Sequence, residues 1–204
     1  MPQSLLALLA LAVAAFLTFN QQRLTIRAQT NVITDEVELA AAGLASEVMA
    51  FIEARSFDEA STPEKIHAAL AVPSVASDFT WAAGFGAIGY GPLGCDLLHP
   101  ADTPECDDVD DLAGLDWQTV TLDLAHGRTL DFDVRVNVYY VSDPESMTVA
   151  PGRTLHKRVN IDVRSPHVAG DEADGLLRLT RVVSFDPVKA RKDYEDIYGP
   201  LGTS

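Results

Sequence analysis

Cysteine is scarce in this 204-residue chain, with only Cys95 and Cys106. One histidine, His99, lies between them, too few donors for a four-ligand zinc site. Basic residues are scarce too: 15 Lys and Arg stand against 30 Asp and Glu, a formal net charge of −15. Such a chain repels phosphate backbones, which excludes nucleic acid as a partner. Catalytic signatures are missing as well. There is no nucleophile elbow, His-Glu-x-x-His pair or phosphate loop. His67, His99, His126, His156 and His167 are scattered without ligand spacing. A G-x-G-x-x-G match in residues 84–91 lacks the strand-then-helix setting of a dinucleotide site and reads as a loop crossing the surface. The expectation is a chain that is not an enzyme and has no resident cofactor.

The first charge is Arg23, no proline falls between Gln3 and Ser61, and Gly43 is the only glycine there. Nothing in that stretch stops a helix. Residues 5–19 read LLALLALAVAAFLTF, and residues 1–22 are just long enough to span a bilayer if their polar ends sit at the interface. An uncleaved anchor fits better than a secretory signal, which wants early Lys or Arg, or a buried core helix. Beyond Arg23, Val32, Ile33, Val37, Leu44, Val48, Phe51 and Ile52 recur at three-to-four spacing, an amphipathic pattern. One helix over residues 3–55 follows, about 75 Å long. Residues 1–22 form its apolar membrane or filament-core part, with Leu5, Leu8, Leu9, Ala12, Val13 and Phe16 as the assembly surface. Residues 23–55 continue it one-sidedly into a domain of residues 56–204.

The apolar fraction of 47% gives that body a core. Thr62-Pro63-Glu64 starts a short helix through Leu70, with threonine as cap and proline at the first position. Residues 73–116 read as loop with a short strand over 79–82. Then the period becomes two: QTVTLDL at 118–124, DFDVRVNVYYV at 131–141, KRVNIDV at 157–163 and LRLTRVVSF at 177–185. Val134, Val136, Val138, Val159, Ile161 and Val163 face inward. Short polar links make these strands an antiparallel meander, and residues 188–198 form a closing helix.

Cys95 and Cys106 end a Pro- and Asp-rich loop and read as a disulfide staple, which implies an oxidising compartment. Arg23 and Arg27, just after the apolar run, argue by the positive-inside rule for a cytoplasmic body. The stub before the run is so short that the disulfide decides for an extracytoplasmic domain. Asp107, Asp108, Asp110 and Asp111 follow Cys106 and offer hard oxygen ligands for Ca²⁺ without EF-hand spacing. The alternative is an acidic turn whose side chains cap backbone amides.

A long helix, apolar then amphipathic, leading into an antiparallel sheet resembles type IV pilins and the pseudopilins of type II secretion. The run Cys106-Asp107-Asp108-Val109-Asp110-Asp111, then Val136-Asn137-Val138-Tyr139-Tyr140 and Lys157-Arg158-Val159-Asn160-Ile161-Asp162-Val163, is similar to stretches of minor pilins of the mannose-sensitive-haemagglutinin type. The resemblance implies an α+β, pilin-like fold and a structural subunit of a type IV pilus or pseudopilus. It would sit in the inner membrane before assembly and in a cell-surface filament afterwards. Its partners would be copies of itself or other pilin-like subunits. The family's Phe and Glu at the start of the mature helix have no counterpart before Glu36, which leaves processing of the N-terminus and the family's helix-terminus salt bridge open. The alternative is a monomeric, membrane-anchored cell-surface domain that binds a ligand or calcium.

Overall fold

The computed structural model describes residues 2–86, 95, 106–124, 128–145, 147–165 and 176–201, with the side chains of 2–10, 12, 124 and 128 left aside. One helix, α1 (Pro2–Ala54), runs 53 residues, as the unbroken pattern predicts. Its C-terminal part buries Val37, Ala41, Leu44, Ala45, Val48, Met49 and Ile52. The three-to-four spacing puts these on one stripe, which packs with the inward residues of the sheet in a single core.

The sheet consists of β1 (Gln118–Leu124), β2 (Arg128–Tyr140), β3 (His156–Arg164) and β4 (Leu176–Ser184). The strands lie in the order β1-β2-β3-β4, each antiparallel to the next, so the expected meander is present. Phe132, Val134, Val136 and Val138 on β2 and Val159, Ile161 and Val163 on β3 are buried. Period-two alternation fixes this register, because a slip of one residue would turn the whole set to solvent.

The opposite face of the sheet is ionic. Asp162 is buried between Arg135 at 2.9 Å and Arg178 at 2.6 Å. Arg164 pairs with Asp133 at 3.1 Å, and Arg135 and Arg164 both lie over the ring of Trp117. Burial works to raise the Asp162 carboxyl, but hydrogen bonds from Arg178 and Arg135 prevail and hold it below the usual carboxylate range.

Two short helices close the domain. Helix α2 (Pro63–Ala69) begins at the predicted proline. Thr62 is its N-cap residue, yet the Thr62 hydroxyl donates back to the Glu59 carbonyl rather than capping α2. Helix α3 (Pro187–Tyr198) is capped by Asp186, which accepts from the amides of Val188 and Lys189. Ile66, Ala190 and Tyr194 form a small core between α2 and α3. Lys189 of α3 donates to the carbonyls of Glu53 and Arg55. These carbonyls lie at the end of α1, where four acceptors lack helical partners.

The strand expected over 79–82 does not form. That stretch lies between 3-10 turns at Ala76–Asp78 and Ala82–Gly84. The Phe79 side chain is buried against Phe57 and Phe185 instead of alternating on a sheet. Of the glycine-rich stretch 84–91, residues 87–91 lie outside the described residues.

Candidate functional site

Two features depart from an ordinary domain surface and core. The first is the N-terminal part of α1. Leu11, Val13, Phe16, Leu17, Phe19, Leu24, Ile26, Val32 and Ile33 are all exposed, Phe16 by 66% and Leu24 by 63%. Leu11, Val13, Phe16, Leu17 and Phe19 thus point out on all sides of the helix, while Leu24, Ile26, Val32 and Ile33 alternate with the polar Asn20, Gln21, Gln22, Arg23, Arg27, Gln29 and Asn31. The hydroxyls of Thr18, Thr25, Thr30 and Thr34 each donate to a carbonyl four residues back, at 2.8 to 3.1 Å. Such back-bonding hides hydroxyls inside the helix and suits an apolar environment. Of the predicted assembly residues, Val13 and Phe16 are exposed here, while the side chains of Leu5, Leu8, Leu9 and Ala12 lie outside the described residues. Among the described residues no helix is long and apolar enough to cross a membrane.

The second feature is a buried cation between two buried carboxylates. Lys157 lies on β3 in phase with Val159, Ile161 and Val163, so alternation sends its side chain into the core. Its side chain is fully buried. Nζ donates to the Phe57 carbonyl at 2.6 Å, to Asp58 Oδ2 at 3.0 Å and to Asp110 Oδ1 at 2.5 Å. An ammonium has three donors, and all three are satisfied. The rings of Phe57, Phe85 and Tyr140 surround it, with centroids 4.4, 5.2 and 5.4 Å from Nζ.

Local structure places each partner. After α1 the chain at Ser56 pairs with the acidic turn: Ser56 N donates to the Asp107 carbonyl and Val109 N to the Ser56 carbonyl. This brings Asp58 and Asp110 to the same point. Asp58 caps the 3-10 turn Glu59–Ser61. Its carboxylate accepts from the amides of Ala60 and Thr80 and from the hydroxyls of Thr80 and Tyr140. Tyr140 stands directly across from Lys157 in the β2–β3 register. Desolvation, with the Asp58 and Asp110 charges beside it, drives the Tyr140 phenol well above its ordinary range.

Neither Lys157 nor Asp58 is among the sequence-predicted site residues. The signal for Lys157 was the alternation itself, since position 157 shares the parity of the inward valines. Asp58 carried no comparable signal, because its role depends on a loop closing across more than fifty residues.

The predicted aspartates divide their tasks. Asp110 faces Lys157, and burial, against the pull of Lys157, keeps its carboxyl above the usual range. Asp108 Oδ1 accepts from the amides of Asp110 and Asp111, while Asp111 Oδ2 accepts from the Asp107 amide. Burial, with the charges of Asp110 and Asp111, pushes Asp108 up to about 9, and burial pushes Asp111 up to about 6. Three of the four therefore cap amides or pair with lysine, and the geometry is that of a capped acidic turn. Among the described residues, the one group of three carboxylates whose oxygens all lie within 4.8 Å of one another is Glu59, Asp107 and Asp108. That group would be the one to hold a hard cation such as Ca²⁺, although Glu59 also pairs with Lys65 at 3.0 Å.

No family model, curated protein or solved structure matches this chain. Cys95 and Cys106 form the expected disulfide, with Cα atoms 5.8 Å apart. Both are buried in the main core, and Gln118 Nε2 donates to the Cys95 carbonyl at 2.6 Å. The bond holds the residue that immediately precedes the acidic turn.

Proposed function

We propose that this chain is a structural subunit of a filament of the type IV pilus or pseudopilus kind, assembled by packing α1 of successive copies together with the α+β domains outside. The observation that carries this reading is the exposed apolar surface of α1. A helix segment almost wholly apolar around its circumference, as over residues 11–19, is stable only when something apolar covers it, and exposed apolar surface of this kind marks an interaction site. Copies of the same helix offer that cover, and the small residues Ala14 and Ala15 allow close approach. The domain needs nothing further from this segment, because its core is complete from Val37 onward. In this reading the domain is extracytoplasmic, held by its disulfide, and non-catalytic.

The test is a single charge in the exposed stretch. Phe16→Asp puts a carboxylate where apolar neighbours would leave it unpaired. Filaments sheared from producing cells should contain the wild-type chain and lack the variant. The variant should keep its sheet circular-dichroism spectrum, since Phe16 lies outside the core. A variant that assembles as well as wild type would rule out α1 as the assembly element.

A further inference from the structure

We propose that Lys157 and Asp110 condense into an intramolecular amide, Nζ to Cγ, with Asp58 as the proton relay. Both carboxylates stand within hydrogen-bond reach of Nζ, and all three side chains are almost fully withdrawn from water. Lys157 and Asp110 are 47 positions apart, so the fold brings them together.

The roles follow from the surroundings. Asp58 accepts from two backbone amides and two hydroxyls besides Lys157. Those donors keep its carboxylate in place beside Nζ, which suits a group that accepts and returns a proton. Asp110 makes the shorter contact with Nζ, and burial holds its carboxyl above the usual range, toward the protonated form that can be attacked. Fixed proximity of amine and acid replaces the activation that amide formation needs in water.

The step balances without any co-reactant. Asp58 takes a proton from the Nζ ammonium. The free amine attacks Cγ of Asp110, forming the C–N bond. One C–O bond of Asp110 breaks, and its oxygen departs as water with two protons that both began on Nζ, passed on by Asp58. An ammonium and a carboxylate become a neutral amide and water, and Asp58 ends as the carboxylate it began as. The aromatic enclosure of Phe57, Phe85 and Tyr140 favours this direction. A buried ion pair carries a desolvation cost that an amide does not, and the water released is excluded from returning. The bond would tie the acidic turn next to the Cys95–Cys106 disulfide directly to β3. The inference does not depend on the filament reading.

The experiment is the intact mass of the full chain, purified, reduced and denatured, with its N-terminus read by peptide mapping. The expected mass is one water below that of the sequence. Trypsin should fail to cut after Lys157 and should yield one branched peptide joining the segments that hold Asp110 and Lys157. Lys157→Arg should restore the full mass, and Asp58→Ala should leave most of the folded protein at full mass. A wild-type chain of full mass with separate, linear Asp110 and Lys157 peptides would overturn the proposal. So would a water deficit that persists in Lys157→Arg, because the loss would then lie elsewhere. Complete condensation in Asp58→Ala would overturn the relay role. The wild-type peptide map decides the bond itself even if a variant does not fold.

Discussion

Replacing Lys157 by methionine keeps most of the buried stem and removes the charge. Two buried carboxylates, Asp58 and Asp110, then lose their common cation, and the Phe57 carbonyl loses its donor. At about 3 Å and an effective dielectric near 20, each ion pair amounts to roughly 5 kcal/mol of Coulomb attraction. Desolvation cancels much of that in the intact network. Breaking a buried pair leaves the desolvation in place without the attraction, and the typical loss is about 3–5 kcal/mol. A domain is stable by about 5–15 kcal/mol, so roughly a fifth of the total or more is at stake. With a denaturant slope of about 2 kcal/mol per molar, the urea midpoint should fall by roughly 2 M, followed by circular dichroism of the sheet. In a chain condensed at Lys157 and Asp110 the amide takes the place of that ion pair, and Lys157→Met then removes the cross-link instead. Adding Asp110→Asn to Lys157→Met removes one stranded charge and should return part of the loss. A Lys157→Met midpoint within about 0.3 M of wild type, or a double variant less stable than the single one, would show that the charge of Lys157 does not hold Asp58 and Asp110 in the core.

Two further outcomes are expected. Asp108 and Asp111 have folded-state carboxyls pushed up to about 9 and about 6, against an unfolded value near 3.9. Above about pH 4 the folded chain therefore holds more protons than the unfolded one, and stability falls as pH rises toward 9. Asp108→Asn keeps the acceptor for the Asp110 and Asp111 amides and removes the titration. It should stabilise the domain at pH 8 by on the order of 2 kcal/mol and flatten the decline, which urea midpoints at pH 5 and pH 8 would measure; an unchanged decline would contradict the assignment. Reducing the Cys95–Cys106 bond should cost roughly 3 kcal/mol for a loop of this length, seen as a lower thermal midpoint in dithiothreitol; no shift would mean that the loop is held by other contacts.

The sheet was legible because each strand alternates strictly and one face is apolar, so Phe132, Val134, Val159 and Ile161 declare their side. Helix α1 was legible because no Pro or helix-breaking pair interrupts it. The miss at 79–82 has a plain cause: Phe79 and Trp81 suggest a strand by composition, yet Phe79 is used as an isolated plug against Phe57 and Phe185. The acidic run was visible as a cluster, but not its division of labour. Asp110 turns inward because Lys157 waits there, and Asp108 turns to its own backbone. Lys157 could have been found by extending the Val159-Ile161-Val163 parity one step toward the N-terminus. Asp58 could not, because it reaches the site only through the pairing of Ser56 with Asp107 and Val109.

The filament reading is tested most directly by electron cryomicroscopy of the polymer sheared from cells that produce the full chain. The expected polymer is a helical assembly with α1 of neighbouring copies packed along the axis, Phe16 and Leu24 in copy-to-copy contacts and the sheet facing outward. A chain recovered only as a monomer, with the exposed apolar face of α1 covered by lipid or detergent rather than by its own copies, would contradict it.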